Sequence, residues 1–331
     1  MRQKTNKTNA LVVVQSSKAL DQAQQEVQQV EKLVQAAKSK ATRRGYAADW
    51  RLFEGWASPQ GLSALPLEQT TVVRYVTHLF TEGAKVKTIE RALAGIVFHQ
   101  RSHGFSWQNS ELLRETMAGI RRTRAEQGER TTKKQAITKD LLIKMVETID
   151  LSRLVGLRDR AILLLTWTAA ARRSEITELD VGDIEFVTDG MIIKPKKTKT
   201  DQEGKDTQKG IPLASEPSLC ATRAVRSWLD AAGISEGPLF RGFTLQKKMR
   251  ETALTDQMVA LIVKKACLRA GLDPSKFSGH SLRAGLITEA ADQDVDENVI
   301  ARQSGHRSVA VLRGYIRHAE LFKKNAAKGL L

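Results

Sequence analysis

The chain has 331 residues, too long for one small core and suited to two domains. Lys and Arg total 53 against 37 Asp and Glu, a formal net charge of +16 that favours an anionic polymer as partner. The apolar runs Ala161 to Leu165 and Val259 to Val263 are far shorter than a membrane span, and Leu11 to Val14 is too short for a signal-peptide core. Cys220 and Cys267 have no zinc-ligand spacing and read as buried thiols, so the expectation is a cytoplasmic protein without a membrane partner.

Met1 to Asn9 is polar and reads as disordered. Leu20, Ala23, Val27, Val30 and Val34 follow at three- and four-residue steps, a helix with a thin apolar stripe inside an N-terminal segment 1–38. From Lys40 to Thr123 the periodicity is helical throughout. Tyr46, Trp50, Phe53 and Ala57 mark one buried face, and Val72, Val76, Leu79 and Phe80 a second that stops at Gly83. Ile89, Leu93, Ile96 and Val97 mark a third, ending near Gly104. Asn109 is placed to cap a fourth, with Leu112, Leu113, Met117 and Ile120 inside. Four helices on short loops make a small all-α domain over 39–123. Its cations gather at helix starts: Arg43 and Arg44 on the first, Lys85, Lys87 and Arg91 on the third. Helix N-termini with added cations suit phosphate, although each cation taken singly is equally well a solvated surface charge. Arg121 and Arg122 open a cationic stretch with Gly128 and no apolar periodicity, read as a basic linker that occupies 124–137.

A second, mixed domain spans 138–331. Thr138 and Asp140 precede an apolar run and open a capped helix. Leu157 to Ala170 is strongly apolar, a central buried helix. Arg172 and Glu175 then stand three apart on what reads as a helix, so the carboxylate can orient the guanidinium from one turn away. Alone, Arg-x-x-Glu is an ordinary surface ion pair. Strands are expected at Asp183 to Phe186 and Met191 to Ile193, with a return at Gly210 to Leu213. The polar tip between them presents Lys199, with Lys194 and Lys197 as rivals. Lys247 and Lys248 lie before a helix within Arg250 to Gly271. That helix has Leu254, Met258, Leu261, Ile262 and Ala266 on one face, and Thr255, Asp256, Gln257, Lys264, Lys265 and Arg269 on the other.

Ser278-Gly279-His280-Ser281-Leu282-Arg283-Ala284-Gly285 is the sharpest motif, followed by Ser304-Gly305-His306 and Tyr315. Two arginines, two histidines and a tyrosine suit the cleavage of a phosphodiester without metal. Guanidinium forks neutralise a phosphate that gains charge as it becomes five-coordinate. A phenol supplies an oxygen nucleophile that can hold the phosphoryl group covalently. Tyr46 and Tyr75 occupy core-like positions, which leaves Tyr315. Zinc is disfavoured because no second histidine stands at a metal-ligand step from His280 and no cysteine is near. Residues 319–331 form a short terminal helix whose Leu321, Phe322, Leu330 and Leu331 need cover, for which a neighbouring protomer is a candidate.

This ordered set resembles the tyrosine recombinase (phage integrase) family, and within it the Cre-like members, over roughly residues 20 to 331. Val86 to Ile89 and Gly128 to Ala136 carry the Cre-like likeness. The resemblance implies a mainly α fold with a small β-sheet: a two-domain, C-shaped DNA clamp with an all-α SAM-like core-binding domain and an α+β catalytic domain. It implies Arg172, Glu175, Lys199, His280, Arg283, His306 and Tyr315 as the catalytic set, Tyr315 being the nucleophile and Lys199 the acid for the leaving 5′ oxygen. DNA contacts would fall to Arg43, Arg44, Lys87, Arg91, Arg121, Arg122, Lys247, Lys248 and Gln257, the last standing where Cre-like members have arginine. The family usually has glycine where Ala170 stands, and Cre-like members often have tryptophan where His306 stands, either ring being able to donate a hydrogen bond to a phosphate oxygen. The implied activity is site-specific recombination through a 3′-phosphotyrosyl link and a Holliday junction, without ATP, divalent metal or other cofactor. A homotetramer on double-stranded DNA with inverted-repeat sites, of bacterial, phage or plasmid origin, is implied with it. A type IB topoisomerase-like or telomere-resolving enzyme, a relic repressor and a polyanion-binding structural protein stay open as alternatives.

Overall fold

The computed structural model describes residues 38–129, 134–194 and 208–306, with Gln29, Leu312 and Gly314. The expected N-terminal helix apart from its Gln29 and Lys38, the terminal helix, Lys197, Lys199 and Tyr315 lie outside the described residues. The chain divides into two compact units, Met1–Thr131 and Thr132–Leu331.

The first unit is built from α1 (Lys40–Ala57), α2 (Gln69–Thr81), α3 (Val86–Ser102) and α4 (Glu111–Glu126). Phe53, Val72, Val76, Ile89, Ile96 and Leu113 meet in one core with no exposed surface. The apolar spacing therefore places all four helices, because each has one stripe to bury. Two details differ from expectation. Ser110, not Asn109, caps α4 by accepting the Leu113 N–H at 3.2 Å, while Asn109 accepts the Trp107 indole N–H at 2.7 Å. Leu112 is 56% exposed, since the stripe runs through Leu113, Met117 and Ile120. Helix α4 also runs on through Arg121 and Arg122 to Glu126, into the stretch expected as linker. Its last turn has an inward side chain after all. Arg124 donates to the Phe80 carbonyl at 2.7 Å and lies 4.6 Å over the Phe80 ring, which hides the stem of a cation that a hydropathy pattern counts as polar.

The second unit contains α5 (Lys139–Glu147), α6 (Leu154–Thr168), α7 (Arg173–Thr177), α8 (Ala221–Ala232), α9 (Asp256–Arg269), α10 (Gly279–Asp292) and α11 (Glu297–Ser304). Strands β1 (Ile184–Val187), β2 (Gly190–Ile193) and β3 (Lys209–Pro212) form an antiparallel sheet in the order β1-β2-β3. Helix α6 is the centre: Ala161 to Leu165 are fully buried, as a helix apolar on all sides must be. Its closest packing partner is α8, absent from the expected elements, whose Trp228 is fully buried with its indole N–H on the Leu239 carbonyl at 2.9 Å. A second sheet, β4 (Arg241–Phe243) with β5 (Met249–Ala253), was not expected either; its strands are short and largely polar. Thr138 is the N-cap residue of α5 but makes no side-chain cap bond. Glu289 from α10 takes the Lys139 N–H at 2.7 Å instead, so the cap is tertiary. On α9, Leu261 is 46% exposed, and Val259 and Val263 occupy the buried face. Among the described residues no helix is long and apolar enough to cross a membrane.

Candidate active site

Helix α6 ends at Thr168 and the chain turns through Ala169, Ala170 and Ala171. Ala170 has φ +45°, the left-handed region that costs a residue with a Cβ about 1–2 kcal/mol. A glycine would adopt this turn without strain, which explains why that residue suits the position. The turn also corrects the placement of Arg172, which is not inside a helix. Arg172 has extended backbone (φ −77°, ψ 153°) and stands at the N-cap of α7. Glu175, in the first turn, folds back on it. One carboxylate oxygen, Oε2, accepts the Arg172 main-chain N–H at 3.0 Å, and Oε1 ion-pairs with Arg172 Nη1. The reach-back half of a capping box thereby also aims a guanidinium.

Arg283 arrives from α10, and Gly285 sets how closely that helix lies. A Cβ at Gly285 would stand 1.8 Å from the Ile137 carbonyl oxygen, so only glycine lets α10 pack against this main chain. Arg283 is 3% exposed. Its Nη1 donates to the Ala170 carbonyl at 2.6 Å and to the Ser304 carbonyl, and these bonds help offset the strain at Ala170. Its Nη2 lies 3.1 Å from Nε2 of His306.

His306 follows Gly305, whose left-handed φ of +67° closes α11 and turns the chain inward. The Ser304 hydroxyl sits 2.7 Å from the Ile300 carbonyl and 2.7 Å from His306 Nδ1. Arg283 Nη2 faces both ring nitrogens, 3.3 Å from Nδ1 and 3.1 Å from Nε2. Burial above all, then the charges of Arg283 and Arg172, pushes the His306 pKa down to about 4, so the ring is neutral near pH 7. His280 is exposed in the first turn of α10, its N–H held by Ser278 Oγ at 3.3 Å, one turn before Arg283.

The phage integrase family matches this chain over residues 135–321, a stretch that contains every one of these side chains. The chain belongs to that family. It is a tyrosine recombinase, a site-specific enzyme that breaks and rejoins DNA through a phosphotyrosyl intermediate. The integrase/recombinase xerD homolog of Selenomonas ruminantium is 39% identical over 295 residues, covering 87% of this chain and 85% of that one. Tyrosine recombinase XerD of Corynebacterium glutamicum is 26% identical over 288 residues, 85% of this chain and 89% of that one. Among solved structures, XerH site-specific recombinase bound to palindromic difH substrate aligns with a TM-score of 0.63 at 18% identity, over 87% of this chain and 79% of that one. That last likeness is one of fold.

The recombinase thus brings together Arg172, Glu175, Arg283 and His306, with His280 at the start of the Arg283 helix. Lys194, one rival for the hairpin role, is bonded to Glu185 at 2.6 Å on the sheet surface. One residue of the cluster was missed in the sequence. Lys209 Nζ donates to the Ala169 carbonyl at 3.2 Å and lies 3.7 Å from Glu175 Oε2. Burial pushes its pKa down while Glu175 pulls it back up. Burial alone would raise Glu175, but Lys209 and the bonds from Arg172 outweigh it and hold the carboxyl below its usual range. The signal was strand alternation, which puts Lys209 on the same inward face as the buried Ile211.

The candidate DNA contacts divide into two groups. Arg44, Lys87, Arg122, Lys247, Lys248 and Gln257 are exposed, and Arg43 is half-buried. Lys87 stands in the first turn of α3 and Arg44 just past that of α1, Gln257 in the first turn of α9, and Lys247 and Lys248 in the β4–β5 turn. Arg91 is one turn further into α3 than a helix start, ion-paired at 2.8 Å with buried Asp49, and Arg121 is paired with Glu90 at 2.9 Å. Arg91 and Arg121 therefore reach any phosphate from an ion pair.

Proposed function

We propose that Arg172 and Arg283 clamp the scissile phosphate of this recombinase while Tyr315 attacks it. The new bond joins the phenolic oxygen to phosphorus, and the bond from phosphorus to the 5′ oxygen breaks. The product is a 3′-phosphotyrosyl link and a free 5′-hydroxyl. Lys199 gives its proton to the leaving oxygen, and His280 is assigned the phenolic proton. The bond energy stays in the covalent link, so a 5′-hydroxyl from a second duplex reverses the step and exchanges strands through a Holliday junction. The observation that carries this reading is Arg283: buried, held by two main-chain carbonyls, it brings a full charge beside the Arg172–Glu175 pair. Such preorganised charge stabilises a phosphate most as its own charge grows.

The exposed cations of both units support double-stranded DNA as partner, and a homotetramer on sites with inverted arms would supply the paired cleavages. A location in bacterial cytoplasm, on chromosome, phage or plasmid DNA, fits this reading. His306 in place of tryptophan and the Xer names of the relatives favour a Xer-like over a Cre-like enzyme, and exposed Gln257 would favour adenine over guanine at its base. The test uses the full chain with duplexes carrying the inverted repeats that flank its gene. A nicked duplex should trap a covalent protein–DNA adduct, and two intact duplexes should yield joined product. Adduct without joined product would make it a topoisomerase-like strand transferase; no adduct at all would leave only a DNA-binding protein.

A further inference from the structure

We infer that Lys209 is a positioning residue for strand cleavage: its ammonium steadies the Glu175 carboxylate, and Glu175 in turn fixes Arg172 toward the phosphate. This rests on the proposal that Arg172 binds that phosphate. The two side chains are 11% and 10% exposed, so the pair is shielded from the solvent that weakens surface ion pairs. Within the carboxylate the work is divided. Oε1 holds the Arg172 guanidinium, while Oε2 faces both the Arg172 N–H at 3.0 Å and Lys209 Nζ at 3.7 Å. Lys209 is itself tethered to the Ala169 carbonyl at 3.2 Å, next to the strained Ala170 whose own carbonyl holds Arg283. One lysine therefore ties β3 to the turn that leads into Arg172 and accepts a bond from Arg283.

The same geometry predicts a change in pH response. Among the described residues, the charged or titratable groups around this pair are Arg172 and Glu178 beside Glu175 in the chain, Arg283 from α10 and His306 after α11. Burial acts to protonate Glu175, and Lys209 is the largest of the effects opposing it. Without the ammonium, Glu175 takes up a proton at a higher pH than before, and a neutral carboxyl holds the guanidinium more weakly. Cleavage by a Lys209→Met chain is then lost as pH falls, starting at a higher pH than in the parent.

The experiment measures single-turnover cleavage of a nicked half-site by the parent, Lys209→Met and Lys209→Arg chains, across pH, beside half-site binding. The expected result is a rate about tenfold to hundredfold lower for Lys209→Met with binding retained, the loss typical when a partner supporting a functional group is removed. Lys209→Arg, which keeps the charge, should recover most of the rate. A substrate with sulfur in place of the bridging 5′ oxygen should not rescue Lys209→Met, because the leaving group is not what Lys209 serves. Rescue by sulfur would overturn the inference by making Lys209 the general acid. A folded Lys209→Met chain with parental rate and pH profile would overturn it as well. If the methionine chain fails to fold, the arginine chain decides: near-parental cleavage supports the inference, and a folded but equally inactive chain overturns it. Failure of the parent to form any adduct would remove the proposed function together with this inference, whereas a normal parent and a normal Lys209→Met would remove only the latter.

Discussion

Nη2 of Arg283 lies 3.1 Å from Nε2 of His306, and each side chain constrains the state of the other. A proton added to the ring would face a buried guanidinium, so the ring stays neutral. In return the imidazole holds one end of the Arg283 fork while the Ala170 and Ser304 carbonyls hold the other.

That relationship sets a pH dependence of stability. The His306 pKa falls from 6.5 to about 4 on folding, so between those values the unfolded chain binds a proton that the folded chain does not. Stability therefore rises with pH across this window and is lost as pH drops from 6.5 toward 4. Melting temperatures measured over that range should fall more steeply for the parent than for His306→Trp, which keeps a ring N–H but cannot titrate. Parallel slopes in the two proteins would place the titration elsewhere.

The two arginines should behave differently from their neighbour. Arg172→Ala and Arg283→Ala are each expected to slow cleavage by about 3–5 kcal/mol of activation free energy while DNA binding changes far less. Arg283→Ala should also lower the melting temperature, because two carbonyls lose their donor at about 1–3 kcal/mol each. Arg173 lies against Gly279 and 3.9 Å from Asp256, facing away from Glu175's bonds to Arg172, so Arg173→Ala should cleave at close to the parental rate. A crippled Arg173→Ala beside a normal Arg172→Ala would reverse the register.

Gly285→Ala tests whether helix approach builds the site. With 1.8 Å between the new methyl and the Ile137 oxygen, α10 must move or the 137 segment must give way. Destabilisation of about 1–3 kcal/mol or more is expected, with cleavage lost together with it because Arg283 rides on the same helix. Chemical denaturation and single-turnover cleavage on the same preparation would show whether both fall.

Tyr315→Phe removes only the oxygen proposed to attack. Gel shifts on a half-site should match the parent, while denaturing gels should show no protein–DNA adduct. An adduct formed by the phenylalanine variant would move the nucleophile to another residue.

The sequence by itself determined the helices of the first unit, the apolar centre of the second and which side chains are proposed to handle the phosphate, because a stripe to be buried or a motif with fixed spacing is a local pattern. Arg172, Glu175, Arg283 and His306 were all legible in this way. Only the tertiary structure decided how they meet. No periodicity reveals that Ala170 turns left-handed and places Arg172 before a helix rather than within it, or that the Ser304 hydroxyl sits 2.7 Å from Nδ1 of His306. Nor does it show that Glu289, from a helix distant in sequence, replaces Thr138 as the cap of α5. Lys209 is the sharpest case. In sequence it is one more cation among 53 Lys and Arg, and its place in the cluster depends on the pairing of β3 with β2, which buries it against a carboxylate from another element. Charge is written residue by residue, but the solvent around each charge is decided by the fold.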